Sequence, residues 1–295
     1  MISILTIGDI MLDQYDICHK IKKQNNVDIC YYEKTEYMPG GAANVAQCFD
    51  LNGYISYLFG YIGRDQNSLQ LLQLLHGVRK DYISKVNIPT TLKKRIVIND
   101  KIICRIDIEK LHHVRRANFE NKLLDHNWKF SAVVISDYQK GALNSKFISK
   151  LIKKARAYDI PVFVDTKCKF LKYFQYAYAV VITLQELNHA EECNYTSILE
   201  IQSLGFECLR KYKFNNLIIK NNAEGSVLFS DSLSKALYTC DEADEVCAIG
   251  AGDVYLSTFC IALCGGSSVE LAFKTANKAA SLSTQYQYTS TMQKI

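Results

Sequence analysis

The amino-acid sequence predicts an α/β protein whose doubly wound, mainly parallel sheet carries helices on both faces. Short β-branched apolar runs alternate along the chain with segments whose apolar residues recur at helical spacing. Such alternation is typical of parallel strands joined by helical crossovers. The composition allows a large core, because 48% of the 295 residues are hydrophobic and only three are proline.

The predicted elements can be followed from the N-terminus. The strands, each a short apolar run bounded by turn-forming residues, are 2–8, 55–63, 132–137, 161–165, 179–183 and 216–220. The helices, each with apolar residues on one face, are 40–53, 65–77, 144–157 and 197–212. We expect a single domain that spans residues 1–295.

Two segments interrupt this alternation. Residues 92–107 predict two strands around a turn at Asn99 and Asp100, and residues 12–37 contain another aromatic and β-branched stretch. Together they predict a small inserted β-sheet. A sheet that stands beside an α/β body can act as a lid.

Composition excludes several function classes. The formal net charge of +5 is spread without a long run of one sign, so nothing indicates a nucleic-acid partner. The eleven cysteines include no CxxC pair, which predicts reduced thiols and no zinc site. No apolar stretch reaches the length of a membrane span, and no signal peptide is recognisable at the N-terminus. We expect a cytoplasmic protein that does not bind membranes.

The sequence Gly-Ala-Gly-Asp at residues 250–253 stands directly before an apolar helical stretch. The first N–H groups of a helix lack intrahelical partners and attract anions, and glycine lets a phosphoryl group approach them closely. Asp253 would then stand beside that group. The alternative is that Asp253 only caps the helix.

Polar residues follow several predicted strands, where ligands bind in open α/β folds. They are Gly8, Asp9, Asp137, Asp165, Thr183 and Lys220. One such residue can simply cap the next helix. Several on one rim, next to residues 250–253, indicate a binding site.

The segments GDIMLDQY, MPGGAANVA, VVISDYQKGAL, IPVFVDTK, LIIKNNAEG, IGAGD and TANKAA occur in this order along nearly the whole chain. Their order and approximate spacing resemble the ribokinase-like (PfkB-type) sugar kinases. Within that family they are most similar to the kinases of D-glycero-D-manno-heptose 7-phosphate. The resemblance implies a ribokinase-like fold and ATP-dependent formation of the 1,7-bisphosphate.

The resemblance also implies residue roles. Asp253 would be the catalytic base, and the N–H groups of Gly250, Ala251, Gly252 and Asp253 would form the anion hole. The implied substrate-binding residues are Asp13, Gly40, Gly41, Asn44 and Asp137, with Arg105 and Lys140 for the phosphate already on the sugar. The implied ATP-binding residues are Asp165, Lys167, Gln185, Lys220, Gly225 and Asn277. Mg²⁺ is expected to accompany the nucleotide.

The chain departs from the family pattern on the nucleotide side. Cys247, Ala248 and Ile249 replace the usual residues before the glycine motif, and Asn188 replaces a family carboxylate, so no metal ligand is assigned. Two alternatives to the heptose kinase follow. One is a degenerate, weakly active or inactive relative that acts as a binding or assembly partner, and the other is a kinase for another sugar. Retention of Asp253 favours activity, whereas loss of the carboxylate at position 188 favours the degenerate relative.

The small sheet also predicts an oligomer. It is too small to bury both faces alone, and in related kinases the lid sheets of two subunits pack together. We therefore expect a homodimer whose interface includes Tyr31 or Ile103, with Arg105 pointing toward the substrate. We further expect no nucleotidyltransferase domain of the kind that is fused to some heptose kinases.

Overall fold

A computed structural model describes residues 2–110, 117–233, 236–240 and 246–291. The strands in these ranges are β1 (Ser3–Gly8), β2 (Ile10–Gln24), β3 (Val27–Gly41), β4 (Ile55–Ile62), β5 (Arg79–Lys85), β6 (Thr91–Ile98), β7 (Lys101–Ile108), β8 (Ala132–Asp137), β9 (Val162–Thr166), β10 (Ala179–Thr183), β11 (Asn216–Lys220), β12 (Ser226–Ser230) and β13 (Leu237–Thr239). The α-helices are α1 (Ala42–Leu51), α2 (Gln66–Leu74), α3 (Ala117–Asp125), α4 (Ser145–Ala157), α5 (Leu184–Ala190), α6 (Ile198–Tyr212), α7 (Ala251–Cys264) and α8 (Val269–Ser283). Short 3-10 helices cover Leu171–Phe174 and Asn222–Glu224.

The larger sheet contains nine strands in the order β13-β12-β11-β10-β9-β8-β1-β4-β5. All neighbours from β11 to β5 pair in parallel, and only β12 and β13 run antiparallel at one edge. The predicted α/β class and all six predicted strands are confirmed. The sequence did not predict β5, β12 or β13, which lie at or next to the edges.

Helices cover both faces of this sheet, as predicted. Successive residues of a strand point to opposite faces, so Leu5 and Ile7 join one core while Ile4 joins the other. The first core packs side chains of α4 and α6, including Phe147, against the sheet. The second packs α1, α7 and α8 against it, including Phe259. No helix in the described ranges has both the length and the hydropathy required to cross a bilayer.

The smaller sheet has four strands in the order β3-β2-β6-β7. The hairpin β6-β7 turns at Asn99 and Asp100, which both have positive φ as a tight two-residue hairpin requires. A second tight turn at Asn25 and Asn26 joins β2 to β3. These two strands begin at Ile10 and end at Gly41, and so extend beyond the predicted residues 12–37 at both ends. The predicted small sheet is therefore present, and its action as a lid stays a prediction.

Candidate active site

The candidate site is built around the first turn of α7. Gly250 is the N-cap residue with a φ of 89°, and a Cβ there would lie 2.6 Å from the carbonyl oxygen of Ser290. Glycine is therefore needed to start the helix at this point. Because Gly250 offers no side chain to cap the first N–H groups, this turn is suited to bind an anion. Asp253 lies on the same turn and is buried.

Two side chains hold the carboxylate of Asp253. Asn44, on α1, donates from Nδ2 to Oδ2 at 2.9 Å, and the Tyr138 hydroxyl donates to Oδ1 at 3.1 Å. Burial raises the pKa of Asp253 to about 7, helped by the nearby carboxylates of Asp165 and Asp13 and opposed by the two hydrogen bonds. A carboxylate with a pKa near neutrality is suited to accept a proton in catalysis.

The predicted sugar-binding residues converge on this carboxylate. Asn44 also donates to the carbonyl oxygen of Ser290 at 3.0 Å. Asp13, on β2, is buried, and a Cβ on Gly40 would lie 2.9 Å from its Oδ2. Gly41 is the N-cap residue of α1, three positions before Asn44. The chain thus brings Asp13, Gly40, Gly41 and Asn44 to one region beside Asp253.

Sequence reasoning missed the partners of Asp13. Arg95, on β6, donates from a terminal nitrogen to Asp13 Oδ1 at 2.8 Å, and Thr289 donates to Oδ2 at 2.7 Å. The side chains of Arg95 and Asp13 are both about 5% exposed, so the ion pair is buried. The available signal was alternation in the first of the two strands predicted within 92–107, because Arg95 lies two positions from the apolar Val97 and so shares its face.

The predicted phosphate-binding cations pair with carboxylates at the C-terminal end of β7, which we call the base of the smaller sheet. Arg105, on β7, is exposed and its Nε pairs with Asp107 at 2.9 Å. Lys140 pairs with Glu109 at 2.6 Å. Lys93, which sequence reasoning missed, contacts both carboxylates, at 3.2 Å and 3.7 Å. Because Arg105 is the register partner of Arg95 on the neighbouring strand, both side chains project from the same face of the sheet.

Asp9 follows β1 and Asp137 is the last residue of the adjacent strand β8, and both are buried. Asp137, a predicted substrate ligand, accepts hydrogen bonds from Thr166 and Gln139. Asp9 accepts three backbone N–H groups, those of Tyr138, Lys140 and Ala142, at 2.8 to 3.0 Å. Asp9 therefore fixes the loop that carries Tyr138 and Lys140.

A pocket of about 640 Å³ opens on the other side of residues 250–252. Five of the six predicted ATP-binding residues line it, namely Asp165, Lys167, Lys220, Gly225 and Asn277. Lys220 donates to Asp165 Oδ2 at 2.9 Å, and its Nζ would lie 3.3 Å from a Cβ on Gly252. Burial disfavours the charged form, yet Asp165 raises the pKa of Lys220 above its usual value, so a positive charge stands beside the first turn of α7.

Gln185 and Asn188 stand apart from this pocket. Gln185 is exposed on α5 and is not among the residues that line the pocket. Asn188, also on α5, donates to the carbonyl oxygen of Tyr195 at 2.9 Å, in the loop that follows the helix. The pocket instead contains Glu186, which also caps α5 by accepting the N–H of Thr183. Sequence reasoning did not single out Glu186.

Comparison with known proteins gives matches over the whole chain. A family model described as pfkB family carbohydrate kinase matches residues 1–295. The bifunctional protein HldE of Photobacterium profundum is 31% identical over an alignment of 299 positions, gaps included. The alignment covers 99% of this chain and 62% of that protein. HldE of Aeromonas hydrophila subsp. hydrophila is 30% identical over 285 residues, covering 95% and 59%. The chain spans about three-fifths of the length of these curated relatives.

Solved structures share the architecture. Ribokinase of Arabidopsis thaliana, solved with ribose and ATP, matches with a TM-score of 0.77 at 20% identity, covering 98% of this chain and 94% of that chain. Phosphofructokinase-2 of Escherichia coli, solved with fructose-6-phosphate, matches with a TM-score of 0.78 at 17% identity, covering 97% and 94%. These likenesses confirm the ribokinase-like fold, and at such identities they show the fold alone.

Proposed function

Since the chain belongs to the pfkB family of carbohydrate kinases, as its motifs indicated, we propose that this ATP-dependent kinase phosphorylates a phosphosugar, D-glycero-D-manno-heptose 7-phosphate, to the 1,7-bisphosphate. One observation carries the proposal. Asp253 is a buried carboxylate with a pKa of about 7 on the first turn of α7, between the residues around Asp13 and the pocket that contains Lys220. The choice of heptose rests on the sequence resemblance.

The proposed mechanism assigns one task to each side of this helix turn. The sugar hydroxyl, which Asn44 and Asp13 orient by hydrogen bonds, attacks the γ-phosphorus of ATP and displaces ADP, while Asp253 accepts the hydroxyl proton. The N–H groups of residues 250–253 stabilise negative charge on the transferred phosphoryl group. The ammonium groups of Lys220 and Lys167 neutralise charge on the nucleotide phosphates in the pocket.

Mg²⁺ fits the pocket when it is bound together with a nucleotide. Among the described residues, no cluster of three or more His, Cys, Asp or Glu side chains could hold a metal alone. Asp165 and Glu186 do line the pocket, and Mg²⁺ typically takes one or two carboxylates with phosphate and water as its other ligands. We propose that these two carboxylates hold Mg²⁺, which would neutralise phosphate charge.

The cations at the base of the smaller sheet support a substrate that already carries a phosphate. Lys93, Arg105 and Lys140 are bound to Asp107 and Glu109. All five side chains are at least partly exposed, so a phosphate can compete with the carboxylates for the cations. We propose that Arg105 and Lys140 bind the phosphate of the sugar.

The proposed activity is tested by ADP release with heptose 7-phosphate, the unphosphorylated heptose and other phosphosugars. Arg105→Gln and Lys140→Gln are each expected to raise KM for the phosphosugar about tenfold, with kcat nearly unchanged. Lys101→Gln, which removes an exposed cation at the far end of β7, is the matched control and should have wild-type kinetics. Absence of turnover with every sugar would contradict the proposal and favour the degenerate relative that acts as a binding or assembly partner.

Two exposed apolar side chains on the smaller sheet support a homodimer. Tyr31 and Ile103 are 68% and 61% exposed, although both are large apolar side chains. A second copy of the chain would cover them and hold each lid in place. We propose a cytoplasmic homodimer that binds its small substrates without nucleic acid or membrane.

Light scattering tests the homodimer. The wild-type chain is expected at twice its 33.6 kDa mass at micromolar concentration, and Tyr31→Asp combined with Ile103→Asp should yield the monomer because charge would be buried at the interface. Leu199→Asp changes an exposed apolar residue of α6 and should leave the dimer intact. A wild-type monomer, or a dimer that both variants retain, would contradict this interface.

A further inference from the structure

Tyr138 lies at the junction of the two halves of the candidate site. Its hydroxyl contacts Asp253, and Lys167 lies above its ring with Nζ 4.7 Å from the ring centre. A Cβ on Gly41 would lie 3.5 Å from a ring carbon of Tyr138, so the ring also packs against the start of α1. Tyr138 therefore contacts the predicted sugar side and the predicted nucleotide side through its ring, and the base through its hydroxyl.

The position of Tyr138 is fixed from below by the body of the protein. Its backbone N–H donates to Asp9 Oδ2 at 2.8 Å, and Asp9 also binds the N–H groups of Lys140 and Ala142. Gln139, the next residue, has a positive φ of 59°, a conformation that the surrounding hydrogen bonds must hold in place. A side chain anchored in this way can direct its hydroxyl at one acceptor.

The two oxygens of Asp253 each receive one donor. Asn44 binds Oδ2, and Tyr138 binds Oδ1. Together these hydrogen bonds fix the plane of the carboxylate, and each leaves its oxygen a further lone pair for the substrate hydroxyl. Asn44 already has a predicted role in sugar binding, whereas nothing in the sequence reasoning assigned Tyr138.

We infer that Tyr138 is a positioning residue, whose hydroxyl sets the orientation of the Asp253 carboxylate and stabilises its ionised form. The inference rests on the proposed function, because Asp253 acts as the base there. It deepens that function by adding a residue that keeps the catalytic carboxylate oriented and ionised.

The charges around Asp253 determine the direction of the effect. Asp13, on β2, and Asp165, on β9, disfavour its ionised form, and Lys220, on β11, is the cation that faces it. Against this background the hydroxyl of Tyr138 lowers the pKa of Asp253. Removing that hydroxyl leaves burial and the two carboxylates less opposed, so the pKa rises further.

Tyr138→Phe tests the inference, because it removes the hydroxyl and keeps the ring against Lys167 and Gly41. Loss of one of the two hydrogen bonds that favour the ionised carboxylate should move the acid limb of kcat/KM up by about one pH unit. Tyr212→Phe is the matched control, because Tyr212 donates to Glu191 at 2.6 Å outside the pocket. Its pH profile should equal that of the wild type.

A second readout does not depend on activity. In protein labelled with ¹³C at the aspartate carboxyl groups, the Asp253 signal, assigned by its loss in Asp253→Asn, should titrate about one pH unit higher in Tyr138→Phe. An unchanged midpoint in both measurements would overturn the role of Tyr138. If the wild-type protein turns over the sugar in that case, the kinase assignment still holds. A wild-type protein without turnover would instead reject the kinase, and the carboxyl titration would still decide whether Tyr138 stabilises the ion.

Discussion

Asp253→Asn is expected to lower turnover by about a hundredfold or more, the scale for loss of a general base. The amide has the shape of the carboxylate, so Asn44 and Tyr138 keep a partner of the same size, and the fold should persist. Nucleotide affinity should change little, because Asp253 itself is not among the residues that line the pocket. Turnover at saturating substrates and ATP binding by calorimetry measure the two effects separately.

Asp253→Asn should also change how turnover depends on pH. With a pKa of about 7, the wild-type base is ionised above neutrality and becomes protonated as the pH falls, so turnover should decline below about pH 7. The residual turnover of Asp253→Asn should lack this decline.

A matched control separates the loss of a base from the loss of any partly buried carboxylate. Asp65→Asn removes a charge from the N-cap of α2, outside the pocket, and should lower the free energy of unfolding by about 1 kcal/mol while turnover stays at the wild-type level. Wild-type turnover in Asp253→Asn would exclude the proposed base.

Local chemistry explains why much of the fold was predictable. Buried parallel strands such as β1 and β8 are continuous apolar runs, and the start of α7 at Gly250 follows from a backbone that only glycine adopts readily. The edge strand β5 has the sequence RKDYISK, whose exposed polar residues lack the pattern of a buried strand. It was missed for that reason.

The missed parts of the candidate site depend on contacts between residues that are far apart in the sequence. Tyr138 and Asp253 are separated by 115 positions, and Arg95 and Asp13 by 82. No local pattern shows that these residues meet, since the first contact depends on how α7 packs against β8 and the second on how β6 pairs with β2. Asp13 was predicted from the family motif, but the cation that neutralises it was not.

Breaking the buried ion pair of Arg95 and Asp13 is expected to reduce the stability of the protein strongly. Arg95→Met should lower the free energy of unfolding by about 3 kcal/mol or more, because it leaves Asp13 as an uncompensated charge away from water. It also removes the guanidinium that lies 5.1 Å from the ring centre of Tyr15. Urea denaturation monitored by fluorescence measures the change.

The neighbouring residue supplies a matched control. Lys94, which directly precedes Arg95 on β6, pairs with Asp16 of β2 at 2.6 Å, and its side chain is 31% exposed. Lys94→Met therefore removes an ion pair between the same two strands where water can replace it, and should cost about 1 kcal/mol or less. Equal losses in Arg95→Met and Lys94→Met would show that burial of the first pair has no energetic consequence.

The double variant distinguishes a pair kept for stability from a pair kept for the substrate. Asp13→Asn combined with Arg95→Met removes both charges, so it should be less destabilising than the sum of the two single changes. If Asp13 orients the sugar, the double variant should regain stability without regaining sugar affinity, because the amide and the thioether cannot replace a carboxylate fixed by Arg95. Recovery of both would mean that the ion pair only holds β2 to β6 and that the sugar is bound elsewhere.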